Sequence, residues 1–154
     1  MTTQEMPIPG LQHRNLAKMV GEWVGEETMH PSAWSPEAKQ STGRISARML
    51  DGFFVISDYE QKSGDAVTFR GHGVYSWDPA NEHYVMYWFD SMGGAGGVAT
   101  GTFEDNVLTF SNTSPMGHHR YRYTFKDGEN TFEMAMSQDG ENWQQLMDAT
   151  FKPA

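Results

Sequence analysis

The sequence contains no cysteine in its 154 residues. Disulfide bonds, thiol nucleophiles and cysteine-based metal sites are therefore excluded. Basic residues are also scarce, since 11 lysines and arginines face 20 aspartates and glutamates and give a formal net charge of -9. This balance argues against binding to nucleic acid or to an anionic membrane, because both partners require basic patches.

Long apolar runs are missing as well. No stretch approaches the ~18 apolar residues that a membrane-spanning helix needs. The segment 1–11 lacks the basic region followed by an apolar run that marks a signal peptide. We therefore expect a cytoplasmic protein without membrane contact. The length predicts a single domain over 1–154, with a lead-in over 1–20 and the remaining fold over 21–154.

Helical periodicity is confined to one short segment. Leu11, Leu16, Met19 and Val20 roughly share a face, and Gly21 ends the pattern. Beyond Gly21, short runs rich in aromatic and β-branched residues alternate with turn signals at roughly 8–12-residue spacing, which is typical of an antiparallel sandwich or barrel. The turn signals include Asp51-Gly52, Asp78-Pro79-Ala80-Asn81, Glu104-Asp105-Asn106, Asp127-Gly128 and Asp139-Gly140. They divide the chain into about ten predicted strands.

Several sequence blocks resemble a known family. The run from Gly71 to Ser91 reads GHGVYSWDPANEHYVMYWFDS and is similar to the central block of an uncharacterised bacterial family, domain of unknown function 1579. Gly21-Glu22-Trp23 and the segment 50–53 match its earlier blocks, whereas Trp77 and Lys152 depart from its usual residues. The resemblance implies an all-β, lipocalin- or calycin-like single antiparallel barrel of about ten strands, with the N-terminal helix covering one end.

The first strand carries the Gly-x-Trp of lipocalin-like barrels. The resemblance implies that Trp23 plugs the closed end of the barrel beneath a basic residue of the last strand. Lys152 is the residue available for that cation–π contact.

The alternating faces suggest a lumen lined by aromatic and methionine side chains. Such a lumen either is filled by its own side chains or holds one small, largely apolar ligand. The ligand-contacting residues predicted from these faces are Arg70, Tyr84, Met86, Trp88, Tyr123, Met134, Gln145 and Met147. Arg70 with His72 is also a candidate pair for an anionic group.

An acid–base enzyme is the competing hypothesis. Asp90 continues the apolar stripe of its strand, so it is a candidate base, with His72 or Tyr84 as the opposing donor. Alternatively, Asp90 accepts backbone N–H groups of the following glycine-rich loop. An isomerase, hydratase or cyclase acting on an apolar substrate would be the class, and no cofactor is expected.

Two further expectations concern metals and partners. The six histidines show no metal-binding spacing, so no metal site is expected; a haem-binding barrel with His119 as axial ligand is a further alternative. If Trp88 points inward, Val85, Tyr87 and Phe89 form an outward apolar face, which suggests a homo-oligomer.

Overall fold

The computed structural model describes residues 5–33 and 35–154 and shows a closed barrel of ten antiparallel strands. Each strand pairs with the next along the chain, and β1 pairs with β10 to close the sheet. The predicted fold class is therefore confirmed. The strands are β1 Gly21–Met29, β2 Lys39–Leu50, β3 Phe54–Ser63, β4 Ala66–Asp78, β5 His83–Asp90, β6 Gly97–Glu104, β7 Val107–Ser114, β8 Gly117–Lys126, β9 Glu129–Ser137 and β10 Gln144–Pro153.

The hairpin turns follow from the local sequence. Asp51 and Gly52 have φ angles of 51° and 80°, and Asp105 and Asn106 have φ angles of 52° and 62°. A two-residue turn with positive φ at both central residues has a backbone twist that matches the right-handed twist of the flanking strands. Gly, Asn and Asp adopt positive φ most easily. These turns explain why neighbouring strands in sequence are also neighbours in the sheet.

A short helical lead-in packs against the barrel. The α-helix α1 spans Leu11–Leu16, and a 3₁₀ turn over Ala17–Met19 follows it. Leu16 and Met19 are buried against the barrel core, where Leu16 joins Leu108 and Phe110. The predicted helical segment therefore exists, but the last turn tightens before Gly21 starts β1.

The two faces of the sheet differ sharply. On β1, Trp23 and Glu27 point into the barrel while Glu22 and Val24 point outward, where Glu22 faces Arg44 at 3.9 Å. On the outer face, Arg122 lies 3.7 Å from Glu133. Ion pairs outside and aromatic or aliphatic side chains inside are the arrangement expected for a barrel in water.

No helix among the described residues is long and apolar enough to cross a membrane.

The interior of β6 generates a stability prediction. A Cβ added at Gly101 would lie 2.0 Å from the Thr109 carbonyl oxygen, whereas one added at Gly97 on the same strand meets nothing within 4 Å. We expect Gly101→Ala to lower the free energy of unfolding by about 1–3 kcal/mol. Gly97→Ala serves as the control and should leave it unchanged or slightly raised. Urea denaturation of both variants checks this, and equal stabilities would contradict the packing described here.

Candidate functional site: the barrel lumen

The barrel encloses a cavity of about 370 Å³. Its wall is largely apolar, with aromatic and methionine side chains supplied by strands on all sides. The lining residues include Trp23, Met29, Ile45, Tyr59, Phe69, Met86, Trp88, Tyr121, Tyr123, Phe132, Met134, Met147 and Phe151. The lumen is therefore not filled completely by its own side chains.

Five of the predicted ligand-contacting residues lie in this wall. They come from strands β5, β8, β9 and β10, so closure of the sheet brings together residues far apart in the sequence. The five are Met86, Trp88, Tyr123, Met134 and Met147.

Tyr84 does not join them. Its side chain is buried at the end covered by the helical lead-in, where its hydroxyl donates to the Gln12 carbonyl oxygen at 3.0 Å and accepts from the Asn15 amide at 3.2 Å. Its ring packs edge-on against Trp77. Tyr84 is therefore not among the described residues of the cavity wall; it fixes the lead-in to the barrel instead.

Gln145 lies on the outer surface. The register between β9 and β10 shifts between Gln145 and Met147, and such a bulge reverses the alternation of side chains before it. Gln145 is exposed, and its amide donates to Asp148 at 3.3 Å. The expectation that Gln145 shares a face with Met147 fails for this reason.

Arg70 and His72 also face outward. Arg70 Nε donates to Glu60 at 3.3 Å, and His72 Nδ1 lies 2.7 Å from an Asp58 oxygen. The inward residues of this part of β4 are the glycines beside them, Gly71 and Gly73. The predicted anion site formed by Arg70 and His72 is thus on the outer wall, apart from the lumen.

Asp90 stands at the far end of β5 from the lead-in and forms part of the cavity wall. One carboxylate oxygen accepts the Trp88 indole N–H at 2.8 Å, and the other accepts the Met92 backbone N–H at 2.9 Å. The second bond fits the alternative in which Asp90 caps the glycine-rich loop. The acid–base hypothesis needs three side chains in one place. Asp90 lies at the end of the cavity away from the lead-in, His72 on the outer face, and Tyr84 at the end covered by the lead-in, so the fold does not bring them together in one site.

The indole of Trp88 packs closely against Gly71 of β4. A Cβ at Gly71 would approach Trp88 Cζ2 to 2.2 Å. Glycine at this position therefore leaves room for the Trp88 indole in the orientation that donates to Asp90 on the same strand.

A buried carboxylate, not predicted from the sequence, is the main polar feature of the lumen. Glu27 is 1% exposed and lines the cavity. One of its oxygens accepts from Ser41 Oγ at 2.9 Å and from Gln61 Nε2 at 3.2 Å, and the other accepts the Tyr59 hydroxyl. No lysine, arginine or histidine is among the described lining residues. Hydrogen bonds from neutral groups therefore stabilise this carboxylate.

Room for the carboxylate comes from the neighbouring strand. A Cβ at Gly43 would lie 2.5 Å from Glu27 Oε2 and 3.0 Å from Phe151. The sequence does carry a signal for Glu27, because Trp23, Gly25 and Glu27 alternate on β1 and the Gly-x-Trp motif assigns Trp23 to the interior.

Burial suppresses ionisation of the lumen phenols. It raises the pKa of Tyr59, and the hydrogen bond to Glu27 with the adjacent negative charge raises it further. Burial likewise raises the pKa of Tyr75 to about 12 and that of Tyr123 well above its usual range. The Tyr75 and Tyr123 hydroxyls lie 2.9 Å apart and share a hydrogen bond. These phenols remain protonated donors or acceptors throughout the physiological range.

Trp23 lines the lumen, and its indole N–H donates to the Met19 carbonyl oxygen at 3.2 Å. Lys152 is exposed and in register with the outward Val24, so it is not the predicted cation above Trp23.

His119 lies 3.0 Å from Ser114 Oγ and does not line the cavity, so the alternative of a haem ligated by His119 lacks an imidazole in the lumen wall. Over residues 5–33 and 35–154, no group of three or more histidines and carboxylates is placed to hold a metal ion.

Comparisons with known proteins agree with the fold. The family described as "Protein of unknown function (DUF1579)" matches residues 8–152. Rv2717c from M. tuberculosis superposes with a TM-score of 0.73 at 10% identity, covering 95% of this chain and 99% of that one. The S-type phycobiliprotein lyase CPES from Guillardia theta superposes with a TM-score of 0.67 at 12% identity, covering 93% and 92%. No functionally curated protein matches the sequence.

The protonated lumen phenols predict instability in alkali. The folded protein keeps the Tyr75 proton to about pH 12, while the unfolded chain releases it near pH 10. The contribution of this phenol to the free energy of unfolding is therefore fully present below pH 10. Between pH 10 and 12 it falls by about 1.4 kcal/mol per pH unit for each proton that the folded state retains. Tyr75→Phe should reduce this slope between pH 10 and 12, measured by urea denaturation at each pH. A slope in Tyr75→Phe equal to that of the unmodified protein would refute the assignment.

Proposed function

The chain belongs to the DUF1579 family, and we propose that it binds a small, largely apolar molecule in the barrel lumen. The observation that carries this proposal is the cavity of about 370 Å³ inside the barrel. Its size falls within the range of roughly 300–1,000 Å³ that is typical of small-molecule sites, and its wall has their usual character. Apolar and aromatic side chains dominate, and a few polar groups interrupt them.

The form of the wall supports a ligand rather than mere packing. Aromatic and methionine side chains from opposite sides of the barrel converge on the same space, and methionines adapt their shape to irregular ligands. The barrel of a phycobiliprotein lyase superposes on this one, which supports a small-molecule role for the lumen. The apolar ligand class rests on the wall itself.

Acid–base catalysis has weaker support. Both oxygens of Asp90 already accept hydrogen bonds, from Trp88 and Met92. His72 lies outside the barrel beside Asp58. Acid–base catalysis would also need a matched donor that faces the same space, and neither His72 nor Tyr84 lines the cavity, so binding is the better account of this lumen.

Filling the lumen tests the proposal. Met134 lines the cavity, whereas Met116 is exposed in a turn. We expect Met134→Trp to weaken binding of a neutral apolar probe, N-phenyl-1-naphthylamine, by about tenfold or more, because the indole occupies the ligand volume. Met116→Trp adds the same group elsewhere and should leave the affinity unchanged. Fluorescence titration measures both, and absence of probe binding to the unmodified protein, with no thermal shift, would argue for a lumen without a ligand.

We also propose that two copies associate through the outer face of β5. Tyr87 and Phe89 are 42% and 50% exposed, and Val98, paired with Tyr87, is 54% exposed. Val85, which was expected to belong to this face, is 7% exposed, so the apolar patch lies nearer the end of β5. Exposed apolar patches of this kind favour association.

Sedimentation velocity tests the association. The unmodified protein should sediment as a dimer at micromolar concentration, and the double variant Tyr87→Lys/Phe89→Lys should sediment as a monomer, because charge on the patch opposes its burial. Val24→Lys on the outer face of β1 is the control and should remain dimeric. A monomer for the unmodified protein at high concentration would end this proposal.

A further inference from the structure

The charge of the lumen has one sign. Glu27 and Asp90 are the only Asp, Glu, Lys, Arg or His residues among the described lining residues. A carboxylate ligand such as a fatty acid would lose its hydration inside the barrel and meet two acids without a compensating cation. A positively charged group would instead gain from both, and a desolvated site strengthens this attraction.

The Glu27 carboxylate keeps unused capacity to accept hydrogen bonds. A carboxylate has about four lone-pair sites; the Glu27 carboxylate receives three donors, and its Oε2 receives only the Tyr59 hydroxyl. A ligand that brings a donor to Glu27 Oε2 is therefore favoured.

The nitrogen donors around these acceptors are already engaged. The Trp88 indole donates to Asp90, the Trp23 indole donates to Met19, and the Gln61 amide donates to Glu27 and Tyr59. These indole and amide groups are therefore not free to donate to a ligand carbonyl or carboxylate. The same aromatic rings present faces that attract a cation.

We propose that the lumen selects ligands whose polar end is a positively charged amine nitrogen, held by the Glu27 carboxylate with Asp90 contributing to the attraction. The apolar remainder of the ligand then lies among the aromatic and methionine side chains. This inference rests on the proposed binding function and specifies the chemical class of its ligand. The Glu27 carboxylate is the stronger anchor because it is the less hydrated of the two.

Three probes of one chain length separate charge from apolarity. Decylamine, decanol and decanoate are cationic, neutral and anionic at pH 7. Competition against N-phenyl-1-naphthylamine, with thermal shift as a second readout, should rank the unmodified protein's affinities as decylamine, then decanol, then decanoate. We expect decylamine to bind about tenfold or more tightly than decanoate, which corresponds to about 1.4 kcal/mol.

Matched variants locate the preference. Glu27→Gln keeps the size of the side chain and removes its charge, so it should reduce the ratio of decylamine to decanoate affinity severalfold. Glu26→Gln makes the same change one residue away on the exposed face of β1 and should leave the ratio unchanged. Asp90→Asn should reduce it less than Glu27→Gln does. If Glu27→Gln fails to fold, the ranking on the unmodified protein and the effect of Asp90→Asn decide the question.

The outcomes distinguish the two proposals. If no probe binds and none shifts the melting temperature, the proposed lumen function is wrong. If decanol or decanoate binds as tightly as decylamine, lumen binding stands and the amine preference is wrong. A ratio that falls equally in Glu26→Gln and Glu27→Gln would overturn the assignment of the anchor to Glu27.

Discussion

Closure of the sheet is the constraint on which the interior chemistry depends. Once β1 pairs with β10, each of the ten strands in the described part of the chain has a neighbour on both sides, and each sends alternate side chains into the same confined space. On β1 that alternation places Trp23 and Glu27 inside and leaves Glu22 and Glu26 in water. A one-residue change of register would exchange the two sets. The polarity of the lumen thus follows from the register of the closing strands.

Glu27 shows how an apolar lumen accommodates a carboxylate. Burying an ionised carboxylate costs several kcal/mol, and the cost is tolerable only when hydrogen bonds replace those to water. Ser41, Tyr59 and Gln61 supply them from β2 and β3, and a hydrogen bond to a charged group contributes about 1.5–3 kcal/mol. Each of these donors sits on an inward position of its strand, and Gly43 leaves the space between them. Removing any one of these donors would leave the buried carboxylate with too few hydrogen bonds. The three donors therefore depend on one another and form one network.

The sequence was sufficient for the architecture and for part of the lumen. Turn spacing and alternation predicted the strands, because hairpins obey local rules that a short window contains. The site was harder because alternation states which residues share a face and not which face lies inside. Arg70 and His72 were placed near the ligand for this reason, and Gln145 was misplaced because the bulge before Met147 has no clear signature in the sequence. Alternation with Trp23 indicates that Glu27 points inward, but its partners Tyr59 and Gln61 lie on a strand that is distant in the sequence, so no short window contains the hydrogen-bond network.

The pairing of the first strand with the last also governs how the barrel is made. Trp23 faces Pro153 across this seam, so the edge of β1 stays unpaired until the final strand has been synthesised. Contacts of such long sequence separation form slowly. Until they form, the acidic side chains of Glu22 and Glu26 disfavour pairing of the open β1 edge with another chain. A molecule that occupies the finished lumen binds only the closed state and therefore draws the folding equilibrium toward closure. A lumen ligand would therefore assist formation of the barrel that binds it.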